Sequence, residues 1–152
     1  MNNEFKELVD QLPSLLEQLL NSPLKPWGNL GSLPQKGIYV FFERGHPVYV
    51  GRTNRMGERI KEHGRRSSIN SATFAFKLAK EAAKRKEIDL SKQRVELAED
   101  PNFAKLFSEA KERVSRMSVR VIEIDDPIIQ TLFEVYASIA LKTTKYNDFD
   151  TH

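Results

Sequence analysis

The chain has 152 residues, 30% of them charged and 39% apolar, with a formal net charge of +3 and no cysteine. That length suits one ordinary domain with a sizeable core, and the lack of cysteine excludes a disulfide framework and a thiolate metal site. No apolar run is long enough to cross a bilayer, and the opening MNNEFKELVDQL lacks the basic start and apolar centre of a signal peptide. The expected compartment is therefore the cytoplasm, with no membrane partner.

The charge is unevenly spread. Residues 44–94 hold fourteen Lys and Arg against five Asp and Glu, a local net of +9 that leaves −6 for the rest. A basic block beside an acidic remainder points to a polyanion, and a phosphate backbone is the commonest one; a solvated helix face has the same composition.

Residues 4–20 place Phe5, Leu8, Val9, Leu12, Leu15, Leu16, Leu19 and Leu20 at helical spacing, with Pro13 as a break or kink. Residues 21–36 are rich in Pro and Gly and read as an irregular connector. Trp27 within it either packs on the core or stacks on a nucleobase.

Residues 37–63, GIYVFFERGHPVYVGRTNRMGERIKEH, read as strand, turn, strand and helix. A three-residue loop of Arg44, Gly45 and His46 would set Val40 opposite Val50 and Phe42 opposite Val48. Ile38, Val40, Phe42, Val48 and Val50 then share a core face, and Tyr39, Phe41, Tyr49 and Gly51 share the other. A four-residue loop would separate the two tyrosines. The helix starts near Asn54 and ends by Gly64, so Arg59 and His63 share one of its faces, with Arg52 just past the second strand. Two phenols, two guanidinium groups and an imidazole gathered in this way are costly to build for stability alone, although surface Arg and Tyr are common.

Beyond His63 the chain is basic. Arg65, Arg66, Ser67 and Ser68 could hold backbone phosphates, and a helix from residue 71 carries Phe74, Leu78 and Ala82 on one side. Nucleic-acid contacts are expected from Arg55, Arg65, Arg66, Lys77, Lys80 and Lys84. Residues 89–100 leave loop and helix both open. Residues 102–113 read as a helix and 118–124 as a third strand, followed by the helix start Asp125-Asp126-Pro127. In the helix 127–141, Ile128, Ile129, Leu132, Phe133, Val135, Tyr136, Ile139 and Ala140 form a wide apolar arc. Glu134 lies opposite its centre, among Gln130, Thr131, Ala137 and Ser138. Such neighbours leave room for a hydrated cation, and equally suit a glutamate facing solvent.

Gly37-Ile38-Tyr39, nine residues, then Tyr49-Val50-Gly51, followed by Arg52, Arg59 and His63, resembles the GIY-YIG nuclease domain, with a slightly short gap. Glu134 and Asn147 fall where that family places its metal-binding glutamate and final asparagine. The resemblance spans about residues 37–147. It implies an α/β domain, with a small, mainly antiparallel three-stranded sheet flanked by helices. Residues 1–36 would be an N-terminal helix and connector, and 37–152 a nuclease domain with a basic helical insertion around 71–113.

The function so implied is a divalent-metal-dependent endonuclease hydrolysing DNA phosphodiester bonds. Tyr39, Tyr49, Arg52, Arg59, His63, Glu134 and Asn147 would be the catalytic set, with Mg²⁺ or Mn²⁺ on Glu134. Either tyrosine could take the proton of the attacking water, since a guanidinium neighbour favours phenolate. Arg52 stands where many members have Lys and His63 where many have Tyr. Arg52 keeps its proton and so can polarise but not act as base. The partner would be DNA, with RNA not excluded and a homodimer compatible. The rival readings are a catalytically inactive nucleic-acid-binding module of the same fold, and a protein-interaction domain that meets an acidic partner.

Overall fold

The computed structural model describes residues 1–65, 71–86, 94–147 and 149. Contacts divide the chain into two compact units, Met1–Gly57 with Met117–His152, and Glu58–Arg116. Residues 1–36 thus pack into the same unit as the sheet, and the helical middle of the chain is a unit of its own. Among the described residues no helix is long and apolar enough to cross a membrane.

In the first unit the N-terminal amphipathic stretch is two helices, α1 (Asn3–Asp10) and α2 (Leu12–Leu20). Asn2 caps α1 by accepting the Phe5 N–H at 3.0 Å. The break at Gln11 follows from Pro13, whose missing N–H is tolerated only in the first turn of a new helix.

Four strands, β1 (Lys25–Pro26), β2 (Gly37–Glu43), β3 (His46–Thr53) and β4 (Ser118–Glu123), form one antiparallel sheet in the order β1-β4-β2-β3. The α/β class stands, but the sheet has four strands where three were expected. The connector supplies the extra one, a two-residue edge with Lys25 opposite Val119 and Pro26 opposite Ser118. An edge is where proline costs no ladder bond. The Trp27 N–H then donates to the Met117 carbonyl at 3.0 Å, which holds the connector along β4.

The β2–β3 hairpin pairs Val40 with Val50 as expected, yet by a different turn. Its loop is two residues, Arg44 and Gly45, with φ of +52° and +82°. Two positive φ angles in succession match the twist of the strands they join. Glu43 faces His46, Phe42 faces Pro47, and a bulge beside Phe41 and Phe42 restores the parity. Val48 therefore does not oppose Phe42: the odd residue sits in the strand as a bulge and not in the loop.

Ile38, Val40, Phe42 and Val50 join Ile122 and Ile124 in a core closed by Leu12 and Leu19 of α2 and by Phe133 and Ala137 of α7 (Pro127–Ala140). Val48 is half-buried and outside that cluster. At Gly37, with φ +154°, a side chain would run into the Ile122 carbonyl, so glycine is what allows β2 and β4 to meet there.

Asp126 caps α7 by accepting the N–H groups of Ile128 at 2.8 Å and Ile129 at 3.2 Å. The helix is rotated from the expected arc. Gln130, Phe133, Ala137 and Ser138 are buried, whereas Ile128, Val135 and Ile139 are exposed. Small side chains permit close approach to the sheet, and Gln130 and Ser138 each donate a hydrogen bond. Gln130 Nε2 donates to the Ile124 carbonyl at 2.6 Å, and Ser138 Oγ to the Glu134 carbonyl at 2.6 Å.

The second unit is helical. α3 (Met56–Gly64) carries the chain into it, and α4 (Thr73–Arg85), α5 (Arg94–Glu99) and α6 (Pro101–Ser115) follow. α4 packs on α6 with Phe76 edge-on to Phe103 at 5.5 Å and to Phe107 at 6.5 Å. Phe74 and Leu78 are buried as expected, together with Ala75, Ala79 and Ala83, while Ala82 is only half-buried. Asp100 caps α6 through the N–H groups of Asn102 and Phe103, at 2.9 and 3.3 Å. α5 shows that the later part of residues 89–100 is helix; residues 89–93 lie outside the described residues.

Candidate functional site

β3 is the last strand of its sheet, so some of its backbone groups point away from β2 and need partners elsewhere. Asn147 meets two of them. Its Nδ2 donates to the Val50 carbonyl at 2.6 Å, and its Oδ1 accepts the Val50 N–H at 3.4 Å and the Thr143 hydroxyl at 3.1 Å. Both Asn147 and Thr143 are buried. The asparagine thus takes the place of one residue of a missing strand. Asn147→Ala would leave a buried N–H and C=O without partners, and the expected loss is about 2–3 kcal/mol in urea unfolding. A loss below about 0.5 kcal/mol would mean that water replaces the amide.

Glu134 meets the same strand two residues further on. The Arg52 backbone N–H donates to its carboxylate, and the Arg52 charge lies close enough to stabilise it. Burial outweighs both, so the Glu134 pKa is raised above the usual carboxylate value. The Arg52 guanidinium donates through Nη1 to Thr131 Oγ1 at 3.0 Å, one helical turn before Glu134. Thr131 was not anticipated as a site residue. Its position three residues before Glu134, on the same helix face, was the signal that could have found it.

On the other face of the hairpin Tyr39 lies opposite Gly51 and Phe41 opposite Tyr49. The two tyrosine rings are neighbours, 6.4 Å between centroids and tilted by 43°. Tyr39 is 1% exposed, and its ring covers Gly51 so closely that a Cβ there would overlap it. Tyr49 is half-buried, so of the two phenols it is the one that meets solvent.

Arg59 and His63 belong to the second unit. Arg59 binds Glu62 Oε2 at 3.0 Å, the Ser71 carbonyl, and Thr73 Oγ1 at 3.4 Å, tying α3 to the start of α4. His63 is 0% exposed and edge-on to Phe74 at 6.4 Å. Burial, and then the nearby Arg59 charge, push its pKa down to about 3. At neutral pH it is an uncharged imidazole inside the unit and is not a proton donor to a phosphate at the surface.

Of the expected nucleic-acid contacts, Arg55, Arg65 and Lys84 are exposed and Lys77 and Lys80 half-buried. The Lys80 ammonium rests over the Phe76 ring, 5.5 Å from its centroid. Arg66 lies outside the described residues, as do Ser67 and Ser68. Among the described residues no three His, Cys, Asp or Glu gather into a metal cage. A divalent cation at Glu134 would have at most one further such ligand among the described residues. That fits Mg²⁺, which keeps several waters and takes substrate phosphate oxygens beside one or two carboxylates.

Residues 51–121 match a family model described as Bacteriophage N4 gene product 1. The matched segment is 71 of the 152 residues and includes Gly51, Arg52, Arg59 and His63, but not Tyr39, Tyr49, Glu134 or Asn147. No curated protein and no solved structure matches the chain. The resemblance to the GIY-YIG domain is therefore corrected: the family model that matches is the bacteriophage one, and none of the GIY-YIG family does. The glycines of the two triplets have local causes. Gly37 is required by the Ile122 carbonyl and Gly51 by the Tyr39 ring, in any hairpin packed this way. The segment of this chain that is similar to a known family is similar to bacteriophage N4 gene product 1.

Proposed function

We propose that this chain is a divalent-metal-dependent endonuclease that hydrolyses DNA phosphodiester bonds at Glu134 and Arg52. The observation that carries the reading is the Glu134 carboxylate. It is kept half-buried at an electrostatic cost, on a backbone N–H and beside a guanidinium, and carboxylates held at such a cost cluster where chemistry is done.

A divalent cation bound there would stabilise the departing 3′-oxygen. Arg52 is exposed, and its guanidinium offsets charge growing on the phosphoryl oxygens. The attacking water forms the new P–O bond as the bond to the 3′-oxygen breaks, its proton passing to bulk water; Tyr49 lies on the opposite face of β3 from Arg52 and takes no part in this step. Exposed Arg55, Arg65 and Lys84 add contacts to backbone phosphates.

One reading competes, a nucleic-acid-binding module without catalysis. It is favoured by the structural work that Asn147 and Glu134 already do along the β3 edge, and by the neutral, enclosed His63. Nicking of supercoiled plasmid with Mg²⁺ or Mn²⁺ separates the two. Glu134→Gln keeps an acceptor for the Arg52 N–H, and it should lower nicking at least about 100-fold while binding survives, as should EDTA. Binding without metal-dependent cleavage by the unaltered chain, on plasmid and on branched and single-stranded DNA, would leave the module.

A further inference from the structure

A helix packed on a sheet turns one stripe inward and a polar stripe to water, and a helix apolar all round is covered on both sides. α7 fits neither kind: its polar residues, Gln130, Thr131, Glu134 and Ser138, lie to one side, and the stripe it turns to water is apolar. Glu134 is its one charged residue, and that side chain turns toward Arg52. The outer stripe runs through Ile128, Val135 and Ile139, with Ile128 58% and Ile139 66% exposed, and Leu132 at its margin is half-buried against the core. The stripe has a charged residue at each end, both exposed: Asp125 just before the helix and Lys142 just after it.

We propose that two copies of the chain pair through this stripe, antiparallel, across a two-fold axis that crosses α7 between Phe133 and Glu134. Ile128 of one copy then meets Ile139 of the other, Leu132 meets Val135, and Asp125 meets Lys142, each contact made twice. One axis satisfies all three pairs, because each is centred on the same point of the helix. The charges fit a second copy as the occupant: an acidic start and a basic finish make the stripe complementary to itself when it meets itself head to tail. A parallel pair would set aspartate on aspartate. This is the self-complementary patch that a two-fold dimer needs. A single pair of helices buries less than the roughly 1,600 Å² of a standard stable interface. The dimer is therefore reversible and grows with concentration.

Sedimentation equilibrium of the full chain at low salt, from micromolar toward millimolar, tests this without reference to any activity. The expected result is a monomer–dimer equilibrium that Ile139→Asp weakens more than about tenfold. Ile139 is solvent-facing, so the variant should keep the circular dichroism and melting of the parent. Asp125→Lys should weaken association about fivefold, and Asp125→Lys combined with Lys142→Asp should restore it to within about twofold. Aspartate suits position 142, whose φ of +59° is left-handed. A monomer throughout, a dimer indifferent to Ile139→Asp, or a charge exchange that fails to restore association would each overturn the proposal.

Discussion

Phe133→Ala is expected to lower the stability of the sheet unit by about 3–5 kcal/mol, the usual cost of emptying a fully buried aromatic site. Phe133 is 0% exposed and sits where α7 meets both α2 and the sheet, among Leu12, Leu19, Ile38, Val40, Val50 and Ile122. Its ring also lies edge-on to Tyr136 at 6.3 Å. These neighbours are strand and helix side chains held by their own ladders, so they cannot collapse into the space left behind. Domains of this size are stable by about 5–15 kcal/mol, so the change removes a large share. Ile139→Ala, on the outer face of the same helix, should cost the isolated chain less than about 0.5 kcal/mol. Urea unfolding of both variants gives the comparison. Equal losses would mean that α7 is oriented differently from what is described above.

Acidification is expected to unfold the second unit through His63. A histidine in the unfolded chain takes its proton near pH 6.5, whereas in the folded unit burial and the Arg59 charge hold that pKa at about 3. Between these values the unfolded chain binds more protons, so stability falls as pH falls. The contribution is complete above about pH 6.5 and is lost progressively toward pH 3. The loss is roughly 3 kcal/mol by pH 4, at 1.36 kcal/mol for each unit of pKa difference. Other groups titrate over the same range, so the readout is the difference between the parent and His63→Gln, which cannot take the proton. The unfolding free energy of the variant should fall less steeply between pH 7 and pH 4. Identical slopes would show that His63 is protonated in the folded unit.

The hairpin illustrates how far local pattern reaches. The alternation in GIYVFFE and HPVYVGRT was enough to place Val40 against Val50 and Tyr39 beside Tyr49, because a strand has only two faces and one of them had to be apolar. Whether the odd residue fell in the turn or in the strand depended on which left-handed positions Arg44 and Gly45 adopt. Pattern is silent on that, and the structure chose a two-residue turn with a bulge. Capping was equally legible. Asp126 and Pro127 announce the start of α7, since both act through backbone groups within the first turn.

The site divides along the same line. That Glu134 lies on a helix and off its apolar arc was readable from the residues. That its side chain turns toward β3, while Ile128, Val135 and Ile139 face outward, was not. A wheel ranks faces by hydrophobicity, but the sheet selects the face that approaches most closely, and Ala137 and Ser138 approach more closely than isoleucine does. The GIY and YVG triplets show the opposite risk. Their glycines satisfy a carbonyl and a tyrosine ring, so a motif that local packing can produce unaided carried a family name that the chain's similarity does not support.

By itself, the sequence determined the three longer strands, the amphipathic helices, the cap of α7, the two tyrosines on one face and the concentration of positive charge, all of which depend on neighbours within a few residues. Only the tertiary structure decided that residues 58–116 form a separate unit, that His63 is enclosed and neutral, and that Asn147 and Glu134 serve the free edge of β3. Each of these depends on contacts between distant parts of the chain. There, side-chain volume and the need to pair every buried polar group select among arrangements that the local pattern allows equally.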